Sequence, residues 1–295
     1  MLGHRVFLTL REFFPGVLCT VRRRPSGFEP LAGADVVEGI DLMDLDELER
    51  RLECWRPGLV VNCAGIVKQR PEARDAKLCL TVNSLLPHRV ARALLPWGGT
   101  LIQFSTDCVF SGRKGAYRES DAADAEDLYG RSKLLGEVTS MGNALTLRTS
   151  MIGREIGAPH GLLEWLLASH GGPPVRGYRR AIYSGLTTPA LARLVADLWS
   201  CATSIRGLYH VAAHPISKFD LLHLLKDAFS LRVEIRPDDE VVCDRSLDDA
   251  AFRAATATAR PSWPDLVREL AQDRTTYKEW NRTAITATSS LANAS

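Results

Sequence analysis

Ser105-Thr-Asp-Cys-Val-Phe-Ser-Gly112 and Leu128-Tyr-Gly-Arg-Ser-Lys-Leu-Leu-Gly-Glu137 are the stretches on which the reading of this 295-residue chain turns. The apolar run Thr100–Phe104 ahead of the first reads as a buried strand, and Leu128–Met141 reads as a helix. Tyr129 and Lys133 are four residues apart, so on that helix they share one face, one turn apart. Ser105 and Thr106 follow the strand directly. In an open parallel sheet the carboxyl edge is where ligands bind. A hydroxyl, a phenol and an ammonium are therefore expected to converge there.

Such a trio suits hydride transfer to or from a carbonyl carbon. The phenol gives a proton to the oxygen as hydride reaches carbon. A free tyrosine titrates near ~10, too high for efficient acid–base work at neutral pH. A neighbouring ammonium is expected to lower that value. A hydroxyl from Thr106 or Ser105 can hold the substrate oxygen in line. The pair alone says little: with six Tyr and seven Lys in 295 residues, a Tyr-x-x-x-Lys arises by accident in roughly one such chain in seven. A Tyr and a Lys on an amphipathic helix are commonly an interface residue and a solvated one. The weight lies in the succession of strand, Ser-Thr-Asp, spacer, and a pair that opens a helix.

Ser-Thr-Asp-x-Val-Phe-x-Gly followed by Tyr-Gly-x-Ser-Lys-x-x-Gly-Glu resembles the extended short-chain dehydrogenase/reductases. Within them it is most similar to the dTDP-4-dehydrorhamnose reductase-like group of nucleotide-sugar reductases, over Met1 to about Asp273. The resemblance implies Thr106, Tyr129 and Lys133 as the catalytic trio. It implies a substrate pocket that includes Ser105, Asp107, Cys108, Arg148 and Ser184. Cys108 departs from the family pattern, which has Tyr after Ser-Thr-Asp; this bears on the pocket and leaves the trio intact.

A hydrophobic content of 45% and a charged content of 24% are ordinary for a soluble globular protein. A net charge of +2 argues against nucleic acid as the main partner. No apolar run approaches a membrane span, and no secretory signal is evident. Seven scattered cysteines without a Cys-x-x-Cys suggest neither a disulfide framework nor a zinc site, and the seven histidines show no ligand spacing. No metal is expected, and a reducing cytoplasm is the default compartment.

The start of the chain is abrupt. Met1–Leu10 reads as the first turns of a helix ended by Pro15 and Gly16. In a dinucleotide-binding fold such a helix follows a strand and a glycine-rich turn. The family's turn reads Gly-x-x-Gly-Met-Leu-Gly, and Met1-Leu2-Gly3 looks like its last three residues, which implicates Gly3 in cofactor binding. The first strand and the first two glycines are absent. In a sheet ordered 3-2-1-4-5-6 strand 1 lies in the middle, so its absence leaves two neighbours with unpaired backbone groups and a slot between them. The helix amino end remains to attract anions. The expectation is a late-assigned start or a truncated chain; if this is the whole protein, cofactor binding is in doubt.

Val17–Thr20 reads as the next strand, with Arg22-Arg23-Arg24 behind it. Arginine at this place accommodates the 2′-phosphate of NADP, where an acid would take the ribose hydroxyl of NAD. Arg22 and Arg24 therefore favour NADP(H), with NAD(H) as the alternative; the bland reading is a solvated basic loop. Asp35–Val37 reads as a third strand, and Asp41-Leu42 resembles the family position that contacts adenine. Leu45–Trp55 reads as a helix whose acidic opening turn suits the helix dipole. Leu59–Gly65 reads as a buried strand, and Asn62-Cys63-Ala64-Gly65 resembles the family's Asn-x-Ala-Gly, whose small side chains let a cofactor pass close to the backbone. Glu72–Leu95 reads as helical with an interruption at Pro87, and Asn83 falls where relatives support the lysine through water.

Beyond Ala144–Leu147, a strand leading into Arg148-Thr-Ser, strict alternation weakens. Helices are expected at 161–169, 189–200, 218–229, 247–255 and 263–271, and strands at 207–211 and 232–235. Ala181–Thr188, with Ser184, resembles the segment that closes over the sugar in relatives. From about Arg282 the composition reads as disordered. The expected architecture is α/β: a doubly wound, Rossmann-like parallel sheet over 1–153 lacking its first strand, a smaller α+β substrate-binding lobe over 154–281, and a tail over 282–295.

The function implied is NADP(H)-dependent reduction of a 4-keto nucleotide-sugar, with a homodimer left open. One alternative is an epimerase or dehydratase on the same scaffold; dehydratases add a second acid near the Ser/Thr position, which Thr106-Asp107-Cys108 lacks. Another is a non-catalytic cofactor-binding regulatory subunit.

Overall fold

A computed structural model describes residues 1–25, 28–33, 35–156, 160–201, 205–273, 275 and 277. The tail read as disordered, 282–295, lies outside the described residues. Helix α1 (Leu2–Phe13) leads to β1 (Cys19–Val21) and β2 (Val36–Glu38), which pair in parallel. Helix α2 (Leu45–Trp55) keeps the bounds its pattern predicts. The Asp44 side chain caps it by accepting from the Glu47 N–H at 3.0 Å, a bond of the kind that stabilises a helix by about 1 kcal/mol. Arg56, in the left-handed conformation at φ 45°, ends it just before Pro57.

Strand β3 (Leu59–Asn62) opens the main sheet. A helical tract then runs through α3 (Ala76–Cys79), a π-turn over Leu80–Leu85, and α4 (Leu86–Leu94). Pro87 does not break the tract as a simple interruption. It sits near the start of α4, and the wider π-turn before it takes up the mismatch left by its missing N–H. Strands β4 (Thr100–Phe104) and β5 (Ala144–Arg148) flank α5 (Leu128–Leu135) in sequence. The helix ends at Leu135, capped by Gly136, six residues short of the expected Met141.

The remainder comprises β6 (Met151–Ile152), α6 (Leu162–Ala168), β7 (Val175–Tyr178), β8 (Ala181–Tyr183), β9 (Leu186–Thr187), α7 (Thr188–Ser200) and β10 (Gly207–His210). It continues with β11 (Ile216–Ser217), α8 (Lys218–Ala228), β12 (Ile235–Asp238), β13 (Cys243–Asp244), α9 (Ala250–Thr256) and α10 (Trp263–Ala271). The expected strand at 232–235 thus begins only at Ile235, and the expected helix at 247–255 begins at Ala250.

The main sheet is parallel throughout, in the order β10-β5-β4-β3, and the β1-β2 pair stands apart from it. No described strand hydrogen-bonds between β1 and β3. The expected slot between them is open among the described residues. Its effect shows in burial: all five residues of β5 are buried, whereas Leu59, Val60 and Val61 of β3 are only half-buried although the run is as apolar. One core lies on the α1/α7 face of the sheet, with Leu2, Val6, Leu191 and Val195 against Ile102 and Leu147. A second lies on the α2/α4 face, with Leu48, Leu52, Leu86 and Leu94 against Leu101. A third, around Leu163, Leu221, Trp263 and Leu266, belongs to the second lobe. The boundary expected at 153/154 is crossed by the chain. Strand β10 pairs with β5 and α7 packs on α1, so the segment 188–210 returns to the nucleotide-type layer.

Candidate active site

The β4 carboxyl end passes straight into a short 3-10 turn, Asp107–Val109, capped by Thr106, whose Oγ1 accepts from the Cys108 N–H at 3.1 Å. Helix α5 packs onto this turn through Gly130, where a Cβ would strike the Cys108 carbonyl oxygen. The helix start is fixed by Asp127, which caps it by accepting from the Gly130 N–H at 2.7 Å and pairs with Lys68 Nζ at 2.6 Å. Close packing without a side chain at position 130 therefore sets Tyr129 beside Thr106 and Cys108. Burial, with the Cys108 thiol, pushes the Tyr129 phenol well above its ordinary range, and a hydrogen bond from the Thr106 hydroxyl opposes the shift.

Lys133 lies one turn further on, buried, and its Nζ donates to the Phe104 carbonyl at 2.6 Å. Burial lowers its pKa to about 8, against the pull of Glu137 and Cys63. The expectation that the ammonium lowers the tyrosine is not what this geometry gives. The lysine charge is spent on a carbonyl, and desolvation governs the phenol.

The loop after β3 meets the same place. Gly3 on α1 abuts Cys63, an added Cβ falling 3.3 Å from the Cys63 Cβ. Ala64 is held by its N–H to Asn62 Oδ1 at 3.1 Å. A Cβ at Gly65 would lie 3.3 Å from Asn83 Oδ1 and 4.0 Å from Lys133 Nζ, so the absence of a side chain leaves the backbone bare beside the lysine. Asn83, within the π-turn, brackets this loop to α5: its Oδ1 accepts from the Ile66 N–H at 2.8 Å, and its Nδ2 donates to the Ile66 carbonyl at 3.1 Å and to Ser132 Oγ at 3.0 Å. Gly3, Cys63, Gly65, Lys133, Tyr129, Thr106 and Cys108 are thus strung along one sheet edge.

Other expected site residues are placed differently. Ser105 Oγ donates to Glu137 Oε1 at 2.6 Å, and Arg148 clasps the same carboxylate through Nε and Nη2 at 2.7 and 2.8 Å, all buried. Arg148 also stacks over Phe110, 5.1 Å from its ring centre, and reaches His210 Nε2 at 3.3 Å. Ser184, buried, accepts from the Leu247 N–H at 3.0 Å and joins two segments of the second lobe. Arg24 donates to the carbonyls of Ala32 and Val36 at 2.8 and 2.5 Å, bracing the β1–β2 loop, while Arg22 is exposed. Asp41 Oδ1 accepts from the Met43 N–H at 3.0 Å, with Leu42 half-buried beside it.

Asp107 is half-buried, and desolvation pushes its carboxyl up, against Arg245 and Lys218. Cys108 is pushed up to about 12 by burial and by Asp107, so the thiol stays neutral. Lys68, Cys108, Phe110, Ser111, Asp127 and Arg245 line a cavity of about 330 Å³ at this mouth. Sequence reasoning missed Lys68 and Arg245. Arg245 donates to the Phe110 carbonyl at 2.8 Å across 135 residues, and nothing local in sequence signals that approach. Among the described residues no cluster of His, Cys, Asp or Glu is placed to hold a metal ion, and no helix is long and apolar enough to cross a membrane.

The chain is 28% identical over 202 residues to methionine adenosyltransferase 2 subunit beta of Danio rerio, covering 65% of this chain and 62% of that protein. It is 28% identical over 181 residues to the dTDP-4-dehydrorhamnose reductase of Burkholderia thailandensis, covering 60% and 55%. The matched part is thus less than two thirds of either relative's length. The structure of dTDP-4-dehydrorhamnose reductase from Bacillus anthracis in complex with NADP superposes with a TM-score of 0.69 at 19% identity, over 80% of this chain and 88% of that one. Its agreement lies in the fold, a Rossmann-type α/β architecture. The family model for the RmlD substrate binding domain matches residues 22–273, from the loop behind β1 to the end of α10, and to that family the chain belongs.

Proposed function

We propose that this chain catalyses NADP(H)-dependent reduction of a keto group on a nucleotide-linked sugar. One observation carries the reading: Thr106, Tyr129 and Lys133 lie together at the carboxyl end of β4, beside the bare backbone of Gly65. A dinucleotide fits the residues present. Gly3, Ala64 and Gly65 offer backbone without side-chain obstruction, Lys133 Nζ faces Gly65, and exposed Arg22 stands at the end of β1 for a 2′-phosphate. NADPH bound there would supply the hydride.

The rest of the work falls to the chain's own groups. Thr106 Oγ1 orients the carbonyl oxygen. The Tyr129 phenol, protonated at neutral pH, gives its proton to that oxygen. Lys133, with a pKa of about 8, is mainly ammonium at pH 7 and, facing Gly65, offers its charge and N–H donors to the cofactor's ribose. Asp107, Cys108, Lys68 and Arg245 shape the mouth through which the sugar enters.

Tyr129→Phe is expected to lower NADPH-dependent turnover of keto nucleotide-sugars by about 10²–10⁴-fold, with NADPH affinity by calorimetry nearly unchanged. Equal loss of binding and rate would remove Tyr129 from the proton-donor role.

A second reading has its own support. The likeness to methionine adenosyltransferase 2 subunit beta fits a regulatory subunit that holds the cofactor without turnover. NADPH binding with no oxidation across a panel of keto nucleotide-sugars would favour it.

A further inference from the structure

We propose that Glu137 is a positioning residue of this site: its carboxylate ties the end of α5 to the end of β4 and so fixes the separation of Thr106 from Tyr129 and Lys133. The proposal deepens the reductase reading and rests on it for the meaning of that separation.

The geometry is a two-point clamp. Lys133 Nζ donates to the Phe104 carbonyl at 2.6 Å, and four residues later Glu137 Oε1 accepts from Ser105 Oγ at 2.6 Å. Phe104 and Ser105 are the two residues before Thr106, so both bonds seize the strand within two residues of the catalytic hydroxyl. The helix end can come this near because position 136 is glycine; a Cβ there would collide with the Asn83 carbonyl oxygen. The carboxylate is in turn held from the neighbouring strands. Arg148 at the end of β5 grips both its oxygens at 2.7 and 2.8 Å, and His210 at the end of β10 meets Arg148 Nη1 at 3.3 Å. His210 is itself fixed: Nδ1 lies 3.0 Å from the Tyr117 carbonyl, and its N–H donates to Glu119 Oε1 at 2.7 Å. Three adjacent strands are thus pinned to one carboxylate at the edge where the trio sits.

The clamp is also electrostatic. Lys133 is faced by Glu137 just past the end of its helix, by the neutral Cys63 thiol after β3 and by the Phe104 carbonyl from β4, and the Glu137 carboxylate is the group whose charge supports its protonation. Glu137 is faced by Arg148 and, through it, by His210. Replacing the carboxylate by an amide removes support for the ammonium and leaves the Arg148 charge without its partner, and both changes act in the same direction on Lys133.

The test uses the full chain with ¹³Cε-labelled lysine, the Lys133 signal being the one of seven that disappears in Lys133→Met. In Glu137→Gln the Lys133 midpoint is expected to fall from about 8 by about one unit, and the alkaline limb of kcat with it. Ser105→Ala should leave the midpoint in place and lower kcat about tenfold by loosening the strand end. Because an unpaired buried Arg148 can unfold the protein, Glu137→Gln/Arg148→Met keeps the question answerable: its Tm should recover, while the lowered midpoint and rate persist. Recovery of rate together with Tm would show a merely structural ion pair and overturn the proposal, as would an unmoved Lys133 midpoint in both Glu137 variants. A midpoint that falls in a protein that reduces no keto-sugar supports the clamp and counts against the reductase reading alone.

Discussion

The Lys133 ammonium lies buried under the end of β4 with the Phe104 carbonyl as its hydrogen-bond acceptor. An unfolded lysine titrates near 10.5 and this one near 8, because burial disfavours its charge. Between those values the unfolded chain keeps a proton that the folded chain releases, so this residue's contribution to stability rises with pH across the window. Below pH 8 the full cost of the buried charge is felt. Lys133→Met is therefore expected to raise stability at pH 7 by roughly 2 kcal/mol in urea unfolding, and to abolish turnover. A variant no more stable than the parent would mean that the carbonyl bond and Glu137 fully offset the burial. Tyr129, Lys133 and Thr106 are readable in sequence because their spacing is local to one helix and one strand end. The placement of Ser105 and Arg148 is not readable, since both are set by Glu137, which reaches Ser105 across 32 residues and Arg148 across 11. A motif shows that a residue type is present; it does not show which buried partner claims its polar atoms.

At the scale of elements, α2 and α10 match their patterns because a side-chain cap begins each and a polar–apolar period runs through it. Helix α5 stops early for a reason outside its own period: Gly136 approaches the Asn83 carbonyl, and continuing the helix would forfeit that contact. The π-turn before Pro87 is likewise a tertiary compromise that presents Asn83 to both α5 and the loop at Ile66. The basic loop behind β1 divides in function. Arg24 donates to two backbone carbonyls and ties the loop to β2, whereas Arg22 is exposed. Arg24→Ala is expected to destabilise the fold by about 1–2 kcal/mol without changing the NADPH-to-NADH preference. Arg22→Ala should lower that preference about tenfold at unchanged stability. Paired calorimetric titrations with the two cofactors check both, and an unchanged ratio in Arg22→Ala would leave the loop a solvated one.

Across the whole molecule, the two ends of the described chain are joined. His4 on α1 bonds the Tyr277 hydroxyl at 2.7 Å, and Arg5 pairs with Asp273 at 3.1 Å. Burial pushes the His4 pKa down to about 3. The unfolded histidine takes up a proton near ~6.5 that the folded one refuses, so stability present above that value is lost as pH falls. The expected loss from this residue is about 2 kcal/mol between pH 7 and pH 5, and His4→Gln should flatten the dependence by that amount. Identical pH slopes would mean that protons reach His4 in the folded state. The strand order and the slot between β1 and β3 follow from sequence, because apolar runs alternate with helical periods as far as β5. The crossing back of α7 and β10 does not, since strict alternation is lost after β5 and their partners lie in the first half of the chain. The slot has a further consequence. An undivided open sheet ends in two edges; divided between β1 and β3, the same strands present four. The two inner edges carry Val and Cys side chains and no proline within β1 or β3 to discourage pairing. Among the described residues, those inner edges are the ones that face each other with no strand between them.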